Sequence, residues 1–423
     1  MLLLISLLMS FAGGDTAVFT LDRAIGHALE HNAQVLQLQF EYERSRTQVG
    51  EALSAFYPSL SASGIYAYQT DVPIFQVDSV AVPMGQHGNY SYQLSLQQVL
   101  FAWGKIYNVY RIADIGREAA RLRLERKKQE TTYLVTDAFY GLLVLDELVR
   151  LSNESLTQLK RHEESVRKRY EAGMVSQFDL LRAQVQVANL KPRVIETENG
   201  LKLAREGFKL LLGLKLDREY QLSGELKQAD EAFDLDSLIA DAQQNRAEVK
   251  NLAQLEEISR LGRDIAGRAN LPIVVGGARY ERRKPFGFFG DEWGSNVTFN
   301  IGFQWSIFEG FKNLHRYRQA ELVLKEAHLA HENLLEAVTL EVKQAYFSFM
   351  AAKEAIGAAQ ENVGQAKMAF NIIETRYRGG LAINLEYLDA QLAMMQAETN
   401  YLSALKNYHS SKAAIYRTIG KEE

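Results

Sequence analysis

The chain contains no cysteine. Thiol catalysis, cysteine-ligated metals and disulfide staples are therefore excluded, as is the cysteine that a covalent lipid anchor requires. Proline is scarce too, with six in 423 residues, at positions 58, 73, 83, 192, 272 and 285. None falls between Lys105 and Arg169 and none follows Pro285, so two stretches are free to run as helices far longer than the ~11 to 12 residues usual in globular proteins. There is no excess of positive charge: 48 basic residues stand against 52 acidic ones, a net charge of −4. That balance speaks against nucleic acid as a partner. Beyond the first residues no segment reaches the ~18 apolar residues of a membrane-crossing helix, so any membrane span must be built from strands. Nothing resembles a nucleophile with its base, a phosphate-binding glycine loop or a dinucleotide fingerprint. Neither an enzyme nor a cofactor is expected. His27 with His31, and His328 with His331, have helix-face spacing suited to a metal, but isolated pairs of this kind are ordinarily solvated, and no metal site is assigned.

The start, Met1 to Gly14, is an apolar run too short to span a bilayer, followed by small residues. Residues 1–17 read as a secretory signal peptide, although the basic leading segment is missing.

What the chain does contain is a long duplication. Phe101 to Gly213 is restated from Phe308 to Gly420 without a gap, pairing Lys105 with Lys312, Tyr110 with Tyr317, Val135 with Val342 and Tyr170 with Tyr377. An earlier register pairs Leu21 with Leu235, Ala28 with Ala242, Pro58 with Pro272 and Tyr66 with Tyr280. The offsets, 235 − 21 = 214 and 308 − 101 = 207, differ by seven residues, which places a longer loop between Tyr66 and Phe101 in the first copy. The expected organisation is a first repeat over 18–220, a linker over 221–234 and a second repeat over 235–423.

Within each copy, two periods alternate. Val338, Val342, Ala345, Phe349, Ala352, Ile356, Ala359, Val363, Ala366, Phe370, Ile373 and Tyr377 step by four and three, the period of coiled-coil packing. Four other segments switch to period two: Ser59 to Tyr68, Tyr90 to Phe101, Ile273 to Glu281, and Val297 to Ile307. Runs of ~9 to 11 alternating residues match tilted strands crossing a bilayer, and the aromatics near their ends, Tyr66, Tyr68, Tyr92, Trp103, Tyr280 and Trp305, suit the membrane-water boundary. A half-buried strand of a soluble sandwich has the same alternation. Each repeat thus reads as helix, strand, loop, strand, long helix, turn, helix. Four strands cannot close a barrel, for which ~8 is the practical minimum; strands in a membrane would require oligomerisation.

Each long helix breaks at a matching turn, Arg169-Tyr170-Glu171-Ala172-Gly173-Met174-Val175-Ser176 and Arg376-Tyr377-Arg378-Gly379-Gly380-Leu381-Ala382-Ile383. Glycine supplies the left-handed stop, and Ser176 with Asp179 forms a capping-box pair for the next helix. These turns, the Leu-Asp-x-x-Ile-x-x-Ala opening, the Pro58 and Pro272 strand starts, Leu100-Phe101-Ala102-Trp103-Gly104-Lys105 with its echo at Ile307-Phe308-Glu309-Gly310, and the terminal Leu212-Gly213 and Ile419-Gly420 together resemble the TolC-like outer-membrane efflux family. The resemblance covers nearly all of the chain after its start.

It implies a mostly α fold with membrane strands: a homotrimer whose chains contribute four strands each to one 12-stranded barrel, continued by a periplasmic α-barrel. It further implies a periplasmic adaptor and an inner-membrane pump or ABC exporter as partners, with the outer-membrane lipid around the barrel. Carried residue by residue, it makes Glu386 and Asp389 entrance carboxylates, matched in the first copy by Asp179 and Arg182. Arg169 and Arg376 become candidates for holding hairpins closed. Tyr170, Gly173, Met174, Ser176, Tyr377, Gly380 and Leu381 form the hairpin tips that would meet the adaptor. Ala382 stands where members of the family carry a basic gating residue, and glutamate replaces aspartate at 386. The carboxylates also lie in first helical turns, where the helix dipole alone favours them. The second copy's turn is the preferred acidic gate. The alternative is a periplasmic coiled-coil scaffold or adaptor with a soluble β-domain.

Overall fold

The computed structural model describes residues 17–77, 80–228, 231–287 and 290–421. All but the last residue of the expected signal segment lies outside them. The element order is β1 (Ala17–Phe19), α1 (Leu21–His31), α2 (Ala33–Ser54), β2 (Ser59–Tyr68), β3 (Ile74–Val77), β4 (Val80–Pro83), β5 (Gly88–Phe101), α3 (Lys105–Glu171), α4 (Gln177–Leu212), β6 (Tyr220–Leu222), α5 (Leu235–Asn245), α6 (Ala247–Gly267), β7 (Ile273–Lys284), β8 (Gly294–Gln304), α7 (Lys312–Arg378) and α8 (Asn384–Ile419). The proline-free stretches are single helices of 67 residues each, followed by helices of 36 residues each. α4 runs straight through Pro192. The ring costs the helix a hydrogen bond, and burial of Leu190 and Val194 on either side of it holds the segment helical.

Two compact units form, and each draws on both sequence repeats: 1–39, 123–250 and 334–423 in one, 40–122 and 251–333 in the other. In the first unit the heptad stripe becomes a core. Val338, Val342, Ala345, Phe349, Ala352 and Ile356 of α7 pack with Leu238 and Ala242 of α5 and with Leu405, Tyr408, Ile415 and Ile419 of α8. The first repeat builds the equivalent cluster: Ala24 and Ala28, Val135, Phe139 and Leu142, Phe208 and Leu212, closed by Phe19 and Tyr220 of the parallel pair β1–β6. Paired positions share their burial, for Ala28 and Ala242 are both fully enclosed, as are Val135 and Val342. Gly213 and Gly420 end α4 and α8 in the left-handed region. At Gly213 a Cβ would also come within 2.3 Å of the His31 carbonyl oxygen, so this site admits only glycine.

The opening helix of each repeat is broken in two. Asn32 leaves the helical conformation and its Oδ1 accepts the Gln34 and Val35 amides at 2.9 and 3.3 Å, starting α2 as an N-cap; Arg246 interrupts the second copy between α5 and α6.

The second unit holds the antiparallel sheet β2-β5-β7-β8. β2 begins and ends as its alternation predicts. β8 lies three residues earlier than the period-two run, because Gly294 to Asn296 pair with Arg283 to Glu281, while Trp305 leaves the ladder to donate its indole N–H to the Asn270 carbonyl at 2.8 Å. The expected loop between β2 and β5 contains the small hairpin β3–β4. Cross-strand register carries one face through all four strands: Leu60, Ala62, Leu94, Leu96, Tyr280, Ala278, Val297, Phe299, Ile301 and Phe303. The other face collects Ser61, Ser63, Gln93, Ser95, Arg279, Glu281, Thr298 and Asn300. Phe299 is 80% exposed and Phe303 75%. Among the described residues both outer strands, β2 and β8, have an unpaired edge. At the strand exits, Trp103 and Gly104, and their matched positions Gly310 and Phe311, are consecutive left-handed residues, an unusual conformation for an aromatic side chain. Trp103 is held by its indole N–H donating to the Pro272 carbonyl at 2.7 Å and by Arg268 donating to its own carbonyl at 3.0 Å.

Candidate functional site

The two turns close alike. α3 stops at Gly173, φ 73°, whose amide donates to the Tyr170 carbonyl while the Met174 amide donates to Arg169, at 2.9 and 2.8 Å. α7 stops at Gly380, φ 76°, with Gly380 to Tyr377 at 3.1 Å and Leu381 to Arg376 at 2.8 Å. This crossed pair satisfies the last carbonyls of each helix. The restarts differ. Ser176 and Asp179 cap α4 reciprocally: the Asp179 amide donates to Ser176 Oγ, and the Ser176 amide and hydroxyl donate to Asp179 Oδ2. Ile383 has no side-chain acceptor to offer α8, so of the reciprocal side-chain bonds only the reverse one remains, from the Ile383 amide to Glu386 Oε2 at 3.0 Å.

The tips are not equivalent. Tyr170 is exposed, whereas Tyr377 is buried in a cluster with Val166, Ala183, Phe370, Tyr387 and Leu388. Arg169 lies over the Tyr377 ring, 4.8 Å from its centre, and its Nη1 donates to the Tyr377 carbonyl at 3.5 Å. Arg169 therefore links the end of α3 to the end of α7. Arg376 instead donates to Leu381 within its own turn, at 3.2 Å.

Beneath the tips sits a polar bolt that sequence reasoning missed. His162 Nε2 and Asn384 Oδ1 are 2.7 Å apart, and Asn384 Nδ2 donates to the Asp179 carbonyl at 3.0 Å. The imidazole stacks on Tyr387 with ring centres 4.0 Å apart, and Tyr387 lies 5.3 Å from Tyr377. Burial lowers the His162 pKa, opposed by the Asn384 hydrogen bond and reinforced by the Arg169 charge. Burial likewise raises the phenols of Tyr377 and Tyr387. One signal lay in the duplication: the positions matching His162, Asn384 and Tyr387 are Ala369, Gln177 and Leu180, so all three differ between copies.

Of the carboxylates singled out from sequence, Asp179 and Glu386 are thus engaged at their own helix N-termini. Asp389 is exposed, one helical turn beyond Glu386 on the same side of α8, and Arg182 is half-buried in the equivalent place on α4. Met174, Leu381, Gly173, Ser176 and Gly380 are exposed. The histidine pairs have other partners: His27 Nδ1 meets the Leu212 carbonyl at 2.9 Å and stacks on His31, while His328 and His331 each turn Nδ1 to a separate oxygen of Glu256, at 3.3 and 3.2 Å. Among the described residues no three His, Cys, Asp or Glu side chains form a metal-holding group, and no helix is long and apolar enough to cross a membrane.

The model of the outer membrane efflux protein family matches the chain twice, over residues 24–214 and 238–421. The outer membrane protein TolC of Escherichia coli is 21% identical over 395 residues, covering 88% of this chain and 76% of its own. The cobalt-zinc-cadmium resistance protein CzcC of Cupriavidus metallidurans is 23% identical, over 73% of this chain and 72% of its own. Among solved structures, the outer membrane protein VceC of Vibrio cholerae superposes with a TM-score of 0.80 over 95% of this chain and 96% of its own, at 19% identity. With both repeats matched and the turns, strands and helix lengths in place, the chain belongs to the outer membrane efflux protein family.

Proposed function

We propose that three copies assemble into one passive conduit across the outer membrane, receiving cargo from an inner-membrane pump or ABC exporter through a periplasmic adaptor. The observation that carries this reading is the open sheet. A soluble sandwich would cover the face bearing Phe299, Ile301 and Phe303, yet these side chains are exposed. β2 and β8 run in opposite directions, since three antiparallel steps separate them, so β8 of one copy can pair with β2 of the next in an all-antiparallel ring. Two copies would close eight strands, whose interior side chains fill the lumen. Three copies of four strands give twelve, enough to leave a water-filled passage lined by the Ser, Gln, Thr and Asn face, with lipid against the apolar face.

In the helical unit, the exposed tips Tyr170, Met174, Ser176 and Leu381 form the adaptor contact. Arg169 and the His162–Asn384 bolt brace the hairpins beneath it, and Asp389, multiplied by three-fold symmetry, forms the acidic ring that selects cations at the entrance. The test is the mass of the detergent-purified protein together with planar-bilayer recordings. Three chains per particle and stable conductance are expected; recovery as a monomer in the soluble periplasm overturns the conduit. In the same recordings Asp389→Ala should weaken cation selectivity, and an unchanged reversal potential would remove Asp389 from the gate.

A further inference from the structure

The charges of the four-stranded sheet are confined to one strand. β2, β5 and β8 carry none, and β7 carries Arg279, Glu281, Arg282, Arg283 and Lys284 within its last six residues. Alternation places Arg279, Glu281 and Arg283 on the polar face and Arg282 and Lys284 on the apolar one. There Arg282 stands opposite Tyr92, and Lys284 opposite Tyr90.

These two cations border a plate of aromatic rings. The Arg282 guanidinium lies 5.5 Å from the centre of the Trp293 ring. Trp293 stacks on Tyr92 at 5.7 Å and approaches Tyr90 at 5.8 Å, and Tyr90 continues to Tyr66 at 4.8 Å. Gly64 makes room for the plate, because a Cβ there would sit 3.2 Å from Tyr92 Cδ1. Tyrosine and tryptophan gathered at one end of an apolar strand face mark the depth of lipid headgroups. Lys284 is bridged to Asp291 at 3.0 Å. Arg282 is exposed and has no carboxylate beside it among the described residues; its guanidinium meets the indole face of Trp293. A guanidinium whose contact is a ring face, with no carboxylate taking its N–H groups, keeps its donor fork free, and that fork matches the oxygens of a phosphate.

We propose that Arg282, backed by Trp293, binds the phosphate of an anionic lipid headgroup in the leaflet that meets the hairpin loops. Each trimer would then carry three such sites around its rim. The proposal rests on the membrane-barrel reading above.

The full-length protein, reconstituted in phosphatidylcholine vesicles, is probed with spin-labelled phosphatidic acid and spin-labelled phosphatidylcholine, reading the motionally restricted fraction of each. The expected result is at least a two-fold preference for phosphatidic acid. It should be lost in Arg282→Gln and kept in Arg283→Gln, whose side chain lies on the polar face. Equal restriction of both labels by the wild type, or a preference that survives in Arg282→Gln, overturns the site. If Arg282→Gln fails to insert, the wild type at 1 M salt serves instead, since screening then acts within ~3 Å; a preference that survives there also overturns the site. Restriction of neither label would sink the membrane barrel itself, a distinguishable failure.

Discussion

At the scale of single residues, the buried histidines tie the helical core to pH. His409 stacks on Tyr140 with ring centres 3.7 Å apart, and its Nε2 is buried without a hydrogen-bond partner. Burial, aided by the Lys412 charge and opposed by a hydrogen bond to the Lys227 backbone, lowers its pKa from 6.5 to about 4. In the unfolded chain the imidazole takes up a proton near 6.5, whereas the folded protein resists doing so until about 4. Between those values the unfolded state binds more protons, so stability rises with pH. The His409 contribution is complete above about 6.5 and is lost progressively as pH falls toward 4. Denaturant titrations across that window should show this acid limb in the wild type and a shallower one in His409→Phe, which keeps a ring against Tyr140. Identical limbs would remove His409 as their source. His162 and His27, whose pKa values are lowered by the same cause, add to the slope in both proteins and contribute to the residual limb.

At the scale of elements, alternation along the strands separates two environments one residue apart. Ile301 and Asn300 are neighbours on β8 with opposite facings. Arginine at a lipid-facing position near mid-membrane costs about 2 to 4 kcal/mol, while lumen positions tolerate charge. Ile301→Arg should therefore deplete the assembled trimer in outer-membrane fractions and Asn300→Arg should not; equal yields would argue that this face does not meet lipid. The same alternation was readable in the chain alone, and β2 was delimited from it residue for residue. Where sequence failed, the cause lay outside the segment's own period. β8 was displaced because its first residues are specified by Arg283 to Glu281 rather than by their own period. The three-residue strands β1 and β6 are too short to carry a period at all. Both hairpin turns were legible, since glycine and capping residues act locally. The His162–Asn384–Asp179 bolt was not, because it joins residues more than 200 positions apart.

At the scale of the whole molecule, matched lengths become a rule about change. α3 and α7 contain 67 residues each, and α4 and α8 contain 36 each. One residue added inside an α-helix turns everything beyond it by ~100° and advances it by ~1.5 Å. In α7 that would carry Tyr377 away from Arg169 and rotate the buried stripe into solvent. The seven-residue difference between the copies sits instead between β2 and β5, where no helical phase is transmitted. A ten-residue epitope inserted in the 69–87 segment should leave trimer yield near wild type, while a single alanine inserted after Ala359 should abolish it; assembly of the alanine insertion would refute the rule. Length in this chain is thus quantised: the long helices can change length only together, so the hairpin loop is where an engineer has room to write.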